Sequence, residues 1–166
     1  ISLTPVYVKV KELPMNTDEP NTLQDISRYY KLRIPDSLIG STIRVTLKTP
    51  DSLTLRNEMF IGGSFVPTAA QYDYRFEIPN YGNQQIIMTD VTDSVYYIMY
   101  RCVSPNPPEQ QVILKAVKLP FAILDVHTNA GGNIGYVTIR IRGSLFRDSM
   151  TARLSNGATT IYATAV

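Results

Sequence analysis

The chain has 166 residues, of which 44% are hydrophobic and 18% are charged, and its net charge at neutral pH is +2. This composition is typical of a folded domain and excludes a disordered tail, and the small net charge does not indicate nucleic acid or an anionic membrane as a partner. The apolar runs are also much shorter than the roughly 20 residues that a membrane-spanning helix needs.

The first 14 residues contain a predicted strand that resembles a later one. "VYVKVKELP" at 6–14 is similar to "VILKAVKLP" at 112–120, an offset of 106 residues that is the size of one domain. A fixed period is the sequence signature of repeat architectures. We therefore interpret 1–14 as a terminal strand that ends a preceding copy in a tandem array. The alternative is that two unrelated strands are simply similar.

Short strands with period-two alternation follow along the rest of the chain. They are predicted at 29–34, 41–47, 84–89, 95–100, 111–117 and 136–142. These segments are rich in Val, Ile, Tyr and Thr, and Pro, Gly, Asn or Asp residues separate them. No segment has convincing helical periodicity, so the sequence predicts an all-β fold built as an antiparallel sandwich.

One stretch, "GGSFVPTAAQYDYRF" at 62–76, permits two interpretations. In the first it is a structural corner, where Tyr72 and Tyr74 share one face and pack while Asp73 hydrogen-bonds in the turn. In the second, Tyr72, Asp73 and Tyr74 contact a ligand or partner. The two glycines permit the backbone geometry of a tight corner, which favours the first interpretation.

Pro120 marks a change in the character of the sequence. "FAILDVHTNAGGNIGYVTIRIRGSLF" predicts a strand, a glycine-rich loop and a second strand, and the tail predicts a hairpin that turns at Asn156-Gly157. In "YVTIRIRG", Arg140 and Arg142 share one face, which predicts either a solvated surface or a contact with an acidic neighbouring module. The 47 residues from 120 to 166 amount to about half of an immunoglobulin-like sandwich.

Several of these segments together resemble a bacterial-type pre-peptidase C-terminal domain. They are "DEPNT" (18–22), "YYKLRIP" (29–35), "IRVTL" (43–47), "NEMFIGGSFVPTAAQYDYRF" (57–76), "QQIIM" (84–88) and "SVYYIMYR" (94–101). The resemblance implies a jelly-roll-like sandwich at 15–119, of the kind appended to secreted peptidases and repeated in very large surface proteins. Residues 120–166 are similar to the first half of an IPT/TIG-like immunoglobulin module, which implies a partial Ig-like sandwich.

The same resemblance raises the question of calcium. Some relatives bind calcium through acidic and amide oxygens, and the corresponding residues here are Glu19 and Asn21, with Asp18 and Asp25 nearby. However, Ser27 and Arg28 occupy positions where the calcium-binding relatives carry acids. An arginine repels a cation, so a solvated acidic loop is the favoured interpretation and calcium the alternative.

Catalysis is not predicted, and neither is a cofactor. His127 is the one histidine of the chain and Cys102 the one cysteine, and no pattern places either beside a catalytic partner. "AGGNIG" at 130–135 lacks the Lys-Ser/Thr of a phosphate-binding loop. Cys102 cannot form an internal disulfide, which leaves a buried thiol or a cross-link to another segment.

We therefore expect a non-catalytic structural or adhesive module of a large extracellular or cell-surface protein. Its expected partners are neighbouring modules or copies of the same protein, and we hypothesise that copies form fibres by exchanging β-strands. The alternative is an accessory module of a secreted hydrolase that binds collagen, another matrix protein or a polysaccharide. Exposed tyrosines near arginines would support that alternative.

Overall fold

The computed structural model describes residues 7–23, 27–50, 54–104, 109–127, 137–146 and 149–163. In these residues the regular structure consists of thirteen β-strands and a 3₁₀ turn at Asp36–Leu38, so the predicted all-β class is confirmed. The chain divides into two compact units, Ile1–Leu119 and Pro120–Val166.

The first unit contains a five-stranded sheet. Its strands are β1 (Val10–Glu12), β3 (Arg28–Arg33), β5 (Asn57–Gly63), β6 (Tyr74–Arg75) and β8 (Val95–Cys102), in the spatial order β1-β3-β8-β5-β6. β1 pairs with β3 in parallel, and the other neighbours pair antiparallel. The central strand β8 is apolar on both faces, as its alternation predicts: Tyr96, Ile98 and Tyr100 are buried in the core, and Met99 is buried on the outer face.

A four-stranded antiparallel sheet forms the other layer of this unit. It contains β2 (Glu19–Leu23), β4 (Ile43–Lys48), β7 (Gln84–Met88) and β9 (Gln110–Lys118), in the order β2-β9-β4-β7. Its strands alternate as a sheet with one buried face should: Ile43, Val45 and Leu47 are fully buried and the residues between them are more exposed.

The core lies between the two sheets and contains aliphatic side chains together with large aromatic ones. Tyr30 and Tyr100 stack with ring centroids 5.9 Å apart. Their neighbour Tyr96 is also buried, and its hydroxyl accepts hydrogen bonds from the N–H groups of Thr92 and Asp93 at 3.1 and 3.2 Å. A buried tyrosine is more favourable when its hydroxyl finds a partner, as it does at Tyr96. Because the three rings are buried, much of the tyrosine content serves packing.

The segment containing β1 makes contacts with both sheets. Lys11 forms an ion pair with Glu19 of β2, and Leu13 is buried in the core with 2% of its surface exposed. Met15 then forms a parallel bridge with Ala116 of β9. The terminal strand predicted within 1–14 therefore pairs inside the first unit, while residues 1–6 lie outside the described ranges.

The second unit contains two pairs of antiparallel strands. β10 (Ala122–His127) pairs with β11 (Arg140–Ser144), and β12 (Arg153–Ser155) pairs with β13 (Thr160–Tyr162). The turn between β12 and β13 includes Gly157 with a φ of +90°, a conformation that favours glycine. The predicted glycine-rich loop at 130–135 lies outside the described residues.

Candidate functional site

The corner after β5 is held together by Asp73. The Gly63 N–H donates to Asp73 Oδ2 at 2.7 Å, and the Asp73 N–H donates to the Ile61 carbonyl at 2.9 Å. Beside it, the Ser64 hydroxyl donates to Asp93 Oδ1 at 3.1 Å. Asp73 therefore hydrogen-bonds in the corner, as the first of the two interpretations of this stretch expected.

The two tyrosines beside Asp73 pack on different sides of the sheet, so the expectation that they share one face is wrong. Tyr74 lies opposite Ile61 on the core side, with its ring 6.5 Å from that of Tyr96, and burial is the main cause that raises its pKa. Tyr72 instead packs on the outer side against Phe60, at 5.2 Å. The strict alternation of a strand does not apply to Tyr72, because β6 begins only at Tyr74.

The outer surface of the five-stranded sheet carries an aromatic patch. Phe60 lies directly opposite Met99, which lies opposite Tyr29 on the other side of β8, and Tyr97 lies opposite Gly62. Phe60 and Met99 are buried, while the tyrosines remain partly exposed. We call this patch the outer aromatic face; its members are Tyr29, Phe60, Phe65, Tyr72, Tyr97 and Met99.

Basic side chains border the outer aromatic face. Arg75 lies opposite Phe60 and is exposed, and Lys31 lies opposite Tyr97. Arg101, the next outward residue after Met99, forms an ion pair with Glu58 at 2.8 Å. The sequence indicated tyrosines and arginines as a group, but it did not reveal Phe60 as part of the patch, because the register between β5 and β8 is not readable from either strand alone.

The residues predicted as calcium ligands have other partners. Asp18 forms an ion pair with Lys115 at 2.7 Å, and Glu19 forms one with Lys11. The Asn21 side-chain N–H donates to the Tyr30 hydroxyl at 2.7 Å. Asp25 lies outside the described residues. Calcium binding here stays a prediction, and the cation would have to displace two lysines.

The other candidate residues lie on β10 and β11 of the second unit. Arg140 is opposite His127 and Arg142 is opposite Asp125, so all four lie on one face of this pair of strands. His127 Nε2 is 2.6 Å from Asp125 Oδ2. Arg140 and Arg142 are exposed, which leaves their predicted contact with a partner as a prediction.

The two side chains considered for catalysis belong to different units. Cys102 is a partly buried free thiol at the end of β8 in the first unit, whereas His127 belongs to the second unit. In the part of the chain that the structure describes, no three His, Cys, Asp or Glu side chains come close enough to hold a metal ion. The same described residues include no helix that is long and apolar enough to cross a membrane.

About two thirds of the chain is similar in fold to a pre-peptidase C-terminal domain of known structure. The structure of such a domain from the collagenase of Bacillus anthracis is 10% identical in sequence, with a TM-score of 0.51, and the match covers 68% of this chain and 99% of that one. CorA, a surface-associated copper-binding protein of Methylomicrobium album BG8, is 9% identical, with a TM-score of 0.47 and coverages of 66% and 97%. No family model and no curated protein matches the sequence. At 10% identity, the similarity to the collagenase domain shows a shared fold alone.

Proposed function

We propose that the chain is a non-catalytic structural or adhesive module of a large extracellular or cell-surface protein, and that copies join by exchanging β1. The placement of β1 carries this proposal. It is a three-residue edge strand in parallel pairing, and parallel pairs are slightly less stable per residue than antiparallel ones.

A neighbouring copy can make each of the contacts that hold this strand in place. The pairing with β3, the buried Leu13 and the ion pair between Lys11 and Glu19 all join the N-terminal segment to the rest of the sandwich. Exchange of one identical element between copies keeps all of these contacts and adds a link between molecules. The similarity of fold to a domain of a larger protein, a collagenase, supports the role of a module.

The test uses a variant that lacks 1–14 together with a labelled peptide of that sequence. We expect the peptide to bind and to restore the lost stability, because it refills the sheet edge and the Leu13 site. A peptide with Leu13→Ala is the matched control and should bind at least about tenfold more weakly, which corresponds to 1.4 kcal/mol. Failure of the unmodified peptide to bind, together with an absence of exchange between full-length chains, would refute strand exchange.

The outer aromatic face favours a second candidate function, an accessory module that binds collagen or a polysaccharide for a secreted hydrolase. Partly exposed tyrosine rings bordered by Arg75 and Lys31 supply stacking surfaces and hydrogen-bond donors. The collagenase domain with a similar fold adds a reason to test collagen first.

That alternative predicts saturable binding to immobilised collagen or to a polysaccharide. Tyr97→Ala should weaken the binding by about tenfold or more, since it removes a ring from the centre of the face. Tyr81→Ala is the control, because Tyr81 is 46% exposed and lies in the loop before β7. Equal binding by both variants, or no binding by the unmodified chain, would eliminate this candidate.

A further inference from the structure

The four-stranded sheet of the first unit carries two neighbouring hollows that share one lysine. The larger hollow has a volume of about 290 Å³, and it is lined by Lys48, Thr49, Pro50, Gln111 and Ile113. The smaller hollow has a volume of about 160 Å³, and it is lined by Thr46, Leu47, Lys48, Ile78, Asn83, Gln84 and Gln85. Together they reach the size of sites that bind small molecules, which is roughly 300 Å³ upward.

The strand order explains why Lys48 stands between the two hollows. Lys48 ends β4, the strand that lies between β9 and β7, and its partner on β9 is Ile113. Thr46 and Lys48 alternate with the buried Val45 and Leu47, so both side chains point away from the core. The larger hollow therefore lies on the β9 side of Lys48, and the smaller hollow lies on its β7 side.

Lys48 supplies a positive charge that other side chains leave free. It is exposed, and none of the ion pairs formed by the described residues includes it. Lys115, on the same surface, is instead 2.7 Å from Asp18. Near the smaller hollow, the Gln85 Nε2–H donates to Glu77 Oε2 at 3.2 Å. An anionic group bound here is therefore stabilised most at Lys48, where a charge-assisted hydrogen bond is possible.

Each hollow is also lined by a buried residue whose side-chain oxygen has no hydrogen-bond partner in the part of the chain that the structure describes. In the larger hollow it is the hydroxyl of Thr49, which is 6% exposed. In the smaller hollow it is Oε1 of Gln84, which is 3% exposed and whose Nε2–H groups donate to three backbone carbonyls at 2.8 Å. A buried oxygen without a partner costs free energy, so a bound group that donates to it is stabilised.

We propose that the two hollows bind an acidic saccharide, with the carboxylate of a uronic acid on Lys48 and sugar hydroxyls on the polar groups at either side. A hydroxyl both donates and accepts hydrogen bonds, and so does a side-chain amide; the hollows contain the amides of Asn83, Gln85 and Gln111. A hydroxyl also donates to the two unpartnered oxygens, whereas an ionised carboxylate only accepts.

A saccharide fits this surface better than an acidic peptide does, because the free positive charge is small. Lys48 matches the single carboxylate of a uronic acid, whereas a run of acidic residues would place further carboxylates near Glu77 and Asp18. Ile78 and Ile113 are 46% and 41% exposed, and they supply apolar surface for the C–H groups of sugar rings. The inference rests on the proposed adhesive role, for which it names a ligand, but the site lies on the sheet opposite to the outer aromatic face.

Isothermal titration calorimetry of the complete 166-residue chain with an oligogalacturonate, a uronic acid oligosaccharide, tests the proposal. We expect saturable binding, and Lys48→Gln should weaken it by about tenfold or more because it removes the charge-assisted hydrogen bond. Lys118→Gln is the matched control, since Lys118 is an exposed lysine of the same sheet that lies opposite Ile43, at the other end of β4. Absence of binding at roughly 1 mM ligand, or equal loss of binding in both variants, would overturn the proposal.

Two further ligands separate recognition of an acidic saccharide from attraction to charge or to sugar alone. Polyglutamate is the probe for an acidic peptide, and maltohexaose is the probe for a neutral saccharide. We expect both to bind at least about tenfold more weakly than the oligogalacturonate. Equal binding of polyglutamate would assign the site to an acidic peptide instead, and equal binding of maltohexaose would contradict the role of Lys48.

Backbone amide NMR signals locate the bound oligogalacturonate on the chain. The signals of Lys48, Thr49 and Gln85 should shift on binding, and the signal of Tyr97 should not. Shifts confined to the surroundings of Tyr97 would contradict binding in the hollows and place the ligand on the outer aromatic face. Leu13→Ala removes a contact of strand exchange and leaves the residues that line the hollows unchanged, so failure of this inference is distinguishable from failure of strand exchange.

Discussion

Gly62 and Gly63 lie where the chain leaves β5, and neither position has room for a side chain. A methyl group at Gly62 would be 2.8 Å from both the ring and the backbone carbonyl of Phe65. At Gly63 it would be 2.3 Å from the carboxylate of Asp93. The corner therefore requires the backbone to lie very close to neighbouring groups, and glycine permits this because it has no side chain.

Gly62→Ala should lower the free energy of unfolding by about 1–3 kcal/mol, because the Phe65 carbonyl belongs to the backbone and cannot rotate away. Gly63→Ala should cost less, since the Asp93 side chain can turn aside at the expense of its hydrogen bond from Ser64. Chemical denaturation of both variants measures the difference. An unchanged midpoint for Gly62→Ala would show that the corner relaxes freely.

Buried tyrosines should make the fold sensitive to alkaline pH. Burial raises the pKa of Tyr74 and, more strongly, of Tyr100. The unfolded chain ionises these side chains near their ordinary pKa of about 10, so it loses protons before the folded chain does. Their contribution to stability is thus complete below pH 10 and decreases as the pH rises above it, by about 1.4 kcal/mol per pH unit for Tyr100.

Tyr100→Phe tests this expectation directly. Its difference in unfolding free energy from the unmodified chain at pH 7 reports packing and hydrogen bonding alone. That difference should shift in favour of the variant between pH 10 and pH 11, because phenylalanine cannot ionise. Parallel stability profiles over this range would contradict a raised pKa at Tyr100.

At the scale of elements, alternation predicted the long strands well and the short ones poorly. β4, β7, β8 and β9 lie within one or two residues of their predicted ranges. The sequence favours a solvated acidic loop around 18–25, whereas Glu19–Leu23 forms β2 and pairs with β9. Pro20 is compatible with β2 because this strand lies at the edge of its sheet, where a missing N–H costs little.

The partners of the candidate metal ligands could not be predicted from the sequence for a related reason. The sequence identified acidic and amide oxygens in 18–25, but their partners Lys11, Tyr30 and Lys115 come from three other elements. The pairing of β2 with β9 brings Lys115 to Asp18. Lys11 and Tyr30 reach Glu19 and Asn21 from the other sheet. Residue types along one segment therefore indicated the available chemistry but not how neighbouring strands use it.

The segment around β1 should contribute to the stability of the first unit. Leu13→Ala should lower the free energy of unfolding by about 2–5 kcal/mol, because Leu13 is almost completely buried in the core. Val8→Ala is the control, since Val8 precedes β1 and is 41% exposed. Denaturation curves that coincide for both variants would mean that this segment detaches from the sandwich in solution.

At the scale of the whole molecule, the described residues divide unevenly between a packed unit and one with little core. All of the buried hydrophobic side chains belong to residues up to Leu119. Removal of 120–166 should therefore leave the denaturation midpoint of the first unit within experimental error of its value in the full chain. A markedly lower midpoint for the shortened chain would show that the second unit stabilises the first.

The path of the chain through the first unit also sets how this unit would respond to tension. β1 runs parallel to β3, and the segment that follows it runs parallel to β9 where Met15 meets Ala116. The chain therefore comes in at one end of the sandwich and goes out at Leu119, at the other end. A force applied to the chain at these two ends would load the strand pairs in shear. Their hydrogen bonds would then bear the force together instead of breaking one after another.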